Sequence, residues 1–214
     1  MSKTTITKDA LAQALKNLAK KKPLSKITIK DITDYCDISR NTFYYHFTDK
    51  YDLVNWIFTS ETLPVINSFS EPERWWEGFV NLCRYLYSNR DFYLDALQYI
   101  GQNSLLEHLM EFYVELLEIH INTLYSRLGY KLAPKELNIL ARMQAHSYVG
   151  IILDWVNAGM QDNYLEYFEQ LKMINNLGNE NYSLMNELMT FPGLGSSQKS
   201  HTIKYETQKQ KQEQ

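Results

Sequence analysis

The sequence predicts an all-α protein, with a small N-terminal helical head joined to a larger helical body, and three observations carry that prediction. Apolar residues recur at spacings of three and four along most of the chain. No stretch alternates apolar and polar residues with period two for long enough to make a strand. Ser, Thr and Pro start signals and Gly stop signals punctuate the periodic segments. With 214 residues, 44% of them hydrophobic, the chain can bury a substantial core.

The head builds up element by element. Ala10, Leu11, Ala14, Leu15 and Leu18 share one helical face, and this segment ends in Lys20, Lys21, Lys22 and Pro23, cations and a stop at a helix C-terminus. Thr28 and Asp31 then have the spacing of a capping box, opening a helix that carries Ile32 and Cys36 inward. A tight turn is expected at Asp37-Ile38, where positive φ is wanted and Asp tolerates it better than most residues. Ser39 caps the next helix, in which Phe43 and Phe47, four apart, form a buried face. The opposite face displays Arg40, Asn41, Thr42, Tyr44, Tyr45 and His46. Such groups donate to phosphates, read base edges and stack on sugars, and a plain core helix has no reason to offer them to water. Two short helices around a tight turn fit a helix-turn-helix.

The body reads as further helices. From Asp49 a helix carries Leu53, Trp56 and Ile57 toward the core and links head to body, with Pro64 expected to end or kink it. Ser70-Glu71-Pro72-Glu73 reads as a capping box for a helix through Trp75, Phe79, Leu82, Cys83 and Leu86. A shorter helix starts near Asp91 and stops at Gly101. Ser104 caps the next, with Leu105, Leu109, Phe112, Leu116 and Leu124 inside, Glu107, Glu111, Glu115 and Glu118 outside, and Gly129 at its end. Pro134 starts a long helix through Leu137, Leu140, Ala141, Tyr148, Ile151, Ile152 and Trp155 that ends near Gly159, and a last one spans about Tyr164 to Asn176. Past Gly178 the pattern weakens, and residues 191–214 read as a disordered tail without an assignable role.

Charge is unevenly spread. Residues 1–52 hold ten basic and six acidic groups, a net of +4 that leaves the rest at −7 given −3 for the whole chain. A basic head on an acidic body fits contact with nucleic acid through one end; a Lys-rich solvated face is the alternative. Cys36 and Cys83 are expected to be reduced, structural thiols. No leader or membrane-length apolar run is encoded, so the expected location is the cytoplasm. No nucleophile elbow, phosphate loop or His-Glu-x-x-His helix is present, and the five His are scattered. No enzyme chemistry, metal site or cofactor is therefore expected.

The run Thr42-Phe43-Tyr44-Tyr45-His46-Phe47, followed by Asp49-Lys50 and Leu53, resembles the recognition helix and following helix of the TetR/AcrR transcriptional regulators. The resemblance covers roughly residues 6–60, and Asp37 stands where that family usually has Gly. The Tyr44-Tyr45-His46-Phe47 and Asp52-Leu53-Val54-Asn55-Trp56-Ile57 wording is also similar to a branch that includes activators of dihydroxyacetone kinase operons. The resemblance implies a homodimeric one-component regulator on a palindromic double-stranded DNA operator. It divides the chain into a DNA-binding domain over residues 1–60 and a dimerisation and effector domain over 61–190. By motif position, Arg40, Asn41, Thr42 and Tyr45 lie at or near base edges, Thr28, Tyr44, His46 and Lys50 at phosphates, and Ser39 on the same surface. Trp75, Tyr85, Tyr99, Tyr113, Tyr148 and Trp155 are candidates for an effector pocket, with plain core as the alternative. Gly150, mid-helix, points to close approach of another helix, and the last two long helices are implied as the dimer interface, packing within one subunit being the alternative. Control by a protein partner instead of a small molecule is the rival functional reading.

Overall fold

The computed structural model describes residues 3–67, 74–161 and 164–173, and among them every regular element is a helix. The order is α1 (Lys3–Ala19), a 3-10 turn (Leu24–Lys26), α2 (Ile29–Tyr35), α3 (Arg40–His46), α4 (Lys50–Asn67), α5 (Trp75–Ser88), α6 (Arg90–Gln98), α7 (Leu105–Arg127), α8 (Pro134–Asn157) and α9 (164–173). The all-α expectation holds. The expected capping box over residues 70–73 and the expected disordered tail over 191–214 both lie outside the described residues.

In the head, Leu11 and Leu15 of α1, Leu24, Ile27, Ile32, and the pair Phe43 and Phe47 are buried together with Leu53 and Ile57 of α4. This core is continuous with the core of the body, so α4 belongs to both. At 18 residues, α4 spans roughly 27 Å. Pro64 neither ends α4 nor marks its limit, since the helix continues to Asn67. Proline has no N–H to donate, so one rung of the ladder near the C-terminal end of α4 is absent.

The body packs α5, α6, α7, α8 and α9 around Phe79, Leu82, Leu86, Tyr93, Leu109, Tyr113, Leu117, Ala145, Ile152, Trp155 and Phe168. Ser104 caps α7, accepting from Glu107 N at 3.3 Å, and Pro134 occupies the first turn of α8. Two expectations for α7 are corrected. Leu124 is 38% exposed and Leu116 only half-buried, while Tyr113, Leu117 and Ile121 are buried. The buried stripe shifts round the helix from Leu105, Leu109 and Phe112 to Leu117 and Ile121, leaving Leu116 at its edge, while Leu124 keeps the azimuth of Tyr113 and Leu117 but lies in the last turn of α7. Gly129 closes α7 with φ 80°. Among the described residues, a Cβ built on Gly150 meets no atom within 4 Å, so none of them packs closely against it.

Candidate nucleic-acid interface

The first helix of the motif, α2, is fixed at its start by a reciprocal cap. Thr28 Oγ1 accepts from Asp31 N at 3.1 Å, while Asp31 accepts from Thr28 N and Thr28 Oγ1, both at 2.8 Å. Lys22 Nζ donates to the same carboxylate oxygen at 2.9 Å. Lys22, then the Thr28 amide and hydroxyl, hold Asp31 well below the usual carboxylate range. The lysine run at the end of α1 therefore does more than complement a helix dipole, because one of its members locks the cap of α2.

The turn forms as its residues dictate. Asp37 sits at φ 53°, and Ile38 N donates to Thr33 O at 3.0 Å. Cys36, expected to face inward on α2, lies just past the end of that helix and is half-buried, its thiol directed at Ile32 O at 3.2 Å. Ser39 Oγ then accepts from Thr42 N at 3.1 Å and lies 2.8 Å from Thr42 Oγ1, so the α3 cap engages both the amide and the hydroxyl of Thr42.

Phe43 and Phe47 are buried with ring centroids 5.9 Å apart, and Phe47 packs edge-on against Trp56 at 6.0 Å. The Lys8 ammonium lies 5.3 Å from the Phe47 centroid and 5.7 Å from that of Trp56. With those two rings anchoring α3, the rest of the helix turns outward. Arg40 and Asn41 are exposed, Tyr44 is 56% and Tyr45 82% exposed, and Thr42 and His46 are half-buried. Exposed aromatics at that level, beside an Arg and an Asn, make a surface able to donate, accept and stack.

Lys50 stands apart from the other expected phosphate donors. Its ammonium donates to Leu24 O at 2.6 Å, Ile27 O at 2.8 Å and Ser25 O at 3.2 Å, which accounts for its three protons. Burial lowers its pKa, with Asp95, Asp49 and Asp31 pulling it back up. Two residues that the sequence left unremarked sit beside this cluster. Asp95 of α6 accepts from Leu24 N at 2.5 Å, and Asn103 in the α6–α7 loop donates to Asp49 Oδ2 at 2.8 Å and Thr48 Oγ1 at 3.3 Å. Nothing in their local spacing signals contact with residues about fifty to seventy positions away.

The six pocket candidates do not share one environment. Trp75, Tyr113 and Tyr148 cluster with Trp76 and Phe79, the rings of Tyr113 and Tyr148 lying 5.8 Å apart and 12° from parallel. Burial pushes the Tyr148 phenol up to about 12. Trp155 is fully buried one layer away, edge-on to Phe168, with its indole N–H on Gln161 O at 2.9 Å. Tyr85 instead donates to Glu61, which also accepts from Lys16 at 2.8 Å. Tyr99 stacks on Tyr51 near the head. Tyr85 and Tyr99 are thus parts of the joint between head and body.

Comparison with known proteins agrees with this geometry. Residues 8–57 match the tetR family of bacterial regulatory proteins, and residues 73–177 match a transcriptional regulator C-terminal region of TetR type. Over 93 residues, 44% of this chain, the sequence is 34% identical to the HTH-type dhaKLM operon transcriptional activator DhaS of Lactococcus lactis. The chain spans about half the length (50%) of that relative. The structure of a dihydroxyacetone kinase operon activator DhaS superposes with TM-score 0.58 at 22% identity, covering 82% of this chain and 96% of that one. The fatty acid degradation regulator FadR from Bacillus halodurans gives 0.55 at 13% identity, covering 81% and 95%. These likenesses extend the shared fold through head and body. Among the described residues, no helix is long and apolar enough to cross a membrane. The helix-turn-helix matched over 8–57 and the regulatory region matched over 73–177 together make the chain a member of the TetR family of transcriptional regulators.

Proposed function

We propose that the chain works as a homodimer that sets two copies of α3 on a palindromic or near-palindromic operator, and that the body, residues 61–190, answers an effector by changing the separation or tilt of the two heads, residues 1–60. The observation that carries the reading is the outward face of α3, where Arg40, Asn41, Tyr44 and Tyr45 are exposed although Phe43 and Phe47 anchor the helix. In this reading Arg40, Asn41, Thr42 and Tyr45 meet base edges, and Thr28, Ser39, Tyr44 and His46 meet phosphate and sugar. Lys50 supports the site from behind, since its protons serve the α1–α2 loop.

Dimerisation draws support from α8. Ile139 and Met143 are exposed on the face that also carries the open Gly150. None of the described residues covers that apolar stripe. Effector control draws support from the aromatic cluster in the body, where the Tyr113 hydroxyl is buried with no hydrogen-bond partner among the described residues. Leaving such a group unsatisfied costs about 1–3 kcal/mol, which a ligand carrying an acceptor would recover.

Selection of duplexes from a random-sequence pool by the full chain, followed by footprinting, tests the reading. Two related half-sites about one helical turn apart, roughly 34–36 Å or a little more, are expected. A single asymmetric half-site bound by a monomer overturns it. A thermal-shift screen against metabolites beside a pull-down from native lysate separates a small-molecule effector from a protein partner.

A further inference from the structure

We propose that Asn103, a body residue outside the DNA-reading motif, is a positioning residue that fixes the tilt of the head on the body. The proposal rests on the homodimeric DNA-binding reading above. Asn103 sits in the α6–α7 loop at φ 59°, in the left-handed region that Asn and Asp enter more readily than most side-chain-bearing residues. That conformation aims its side chain at the start of α4. Its amide N–H groups reach Asp49 Oδ2 at 2.8 Å and Thr48 Oγ1 at 3.3 Å, and its own carbonyl accepts from Asn55 Nδ2 at 3.1 Å.

Asp49 is the right place to grip. Its other oxygen accepts from Tyr51 N at 2.7 Å and Asp52 N at 2.9 Å, so the carboxylate caps α4 and is immobile when Asn103 takes hold of it. Two further contacts run in the same direction. Tyr99, four residues before Asn103, stacks on Tyr51 with centroids 3.5 Å apart and 5° between planes. Gly101 allows that loop to fold, since a side chain there would run into the Tyr99 hydroxyl. Asp95, one turn earlier on α6, holds Leu24 N on the other flank of the motif. The segment 95–103 therefore braces the head at both flanks. Contacts at the first turn of α4 act a helix length, roughly 27 Å, from its body end, so they resist tilting of the head with a long arm, and α3, which ends at His46, three residues before Asp49, follows them directly.

The isosteric change Asn103→Asp tests this. Asp tolerates the same φ but faces the Asp49 carboxylate with a like charge, so the grip becomes a repulsion. On the duplex selected from a random pool, affinity should fall roughly tenfold, equivalent to ~1.4 kcal/mol. On a duplex carrying one half-site it should be unchanged, because a single head needs no set tilt. Helical signal, melting temperature and dimer mass should stay near those of the unmodified chain. Combining Asn103→Asp with Asp49→Asn swaps donor and acceptor across the same contact, and the carboxamide oxygen introduced at position 49 can still cap α4, so the pair should restore the two-half-site affinity. Asn103→Gly, which keeps the backbone conformation without the grip, should lose affinity in the same selective way. Equal loss on both duplexes, no loss on either, or failure of the swap to restore binding overturns the proposal. If the unmodified chain enriches no duplex at all, the DNA-binding reading itself falls and this proposal with it.

Discussion

The Lys50 ammonium lies 2.6 Å from the carbonyl of Leu24, a residue whose own N–H is held by Asp95. A side chain at the start of α4 thus ties down the loop between α1 and α2, and the same ammonium also serves Ser25 and Ile27. With its three protons on backbone carbonyls, Lys50 is placed for support, and its expected role as a phosphate donor is left to the following measurement.

Lys50→Ala should therefore lower the melting temperature of the head and weaken binding to selected and random duplexes alike. The slope of log affinity against log salt should be unchanged, since no phosphate contact is lost. A slope reduced by ~0.9, the value for one phosphate, would return Lys50 to the DNA backbone.

Asn41 is exposed on α3, one residue beyond Arg40. Asn41→Ala should cost about 1–3 kcal/mol on the selected duplex and almost nothing on random DNA. Comparable losses on the two would make Asn41 a backbone contact.

Phe47 lies between Phe43 and Trp56 in the head core. Truncation to Ala should cost about 3–5 kcal/mol, a large share of what so small a unit can hold. DNA binding should vanish and helical signal fall in part, while dimer mass in sedimentation stays the same. A fully folded variant that lost only sequence preference would contradict its burial.

How far the sequence could be read depended on the range of the interaction. Ser39, Thr28 with Asp31, Phe43 and Phe47 were legible because caps and helical faces act within four residues. Asp37 was legible because few residues accept its backbone conformation. The exposure of Leu124 was not legible, because its azimuth matches that of buried Tyr113 and Leu117 and only its place in the last turn of α7 takes it out of the core. Asp95, Asn103 and the Lys50 cage were illegible, since their partners lie 23 to 71 residues away in sequence and depend on how α6 docks against the head. For the same reason the contacts of Tyr85 with Glu61 and of Tyr99 with Tyr51 cannot be read from local spacing.

His108 gives the body a pH dependence. It lies 2.7 Å from Thr59 Oγ1 and edge-on to Phe58, and burial pushes its pKa below 6.5, outweighing the upward pull of Glu115 and Asp52. Below pH ~6.5 the unfolded chain binds more protons than the folded one at this site, so stability is full above that pH and declines as pH falls toward the folded pKa. The melting temperature should drop between about pH 7.5 and 5.5, and His108→Gln should flatten part of that slope. Identical slopes for the two proteins would assign the dependence to other groups.

Gly150 costs α8 about 1 kcal/mol relative to Ala, and no described residue lies within 4 Å of where its Cβ would be. Gly150→Ala should leave the subunit's own stability unchanged or raised while weakening self-association, read by sedimentation over a dilution series. A gain in stability with unaltered association would put the interface on another face.

The brace formed by residues 95–103 bears on modularity. Regulators with a separate head and body invite chimeras in which one head is exchanged for another. Here the core runs unbroken from Leu11 to Phe168, and the flanks of the DNA-reading motif are held by side chains from α6 and the loop after it. The portable unit is therefore discontinuous: residues 3–67 together with 95–103. A graft that moved the first stretch alone would carry a sound recognition helix on an unregistered mount, and sequence drift in the two stretches should be correlated across descendants of this chain.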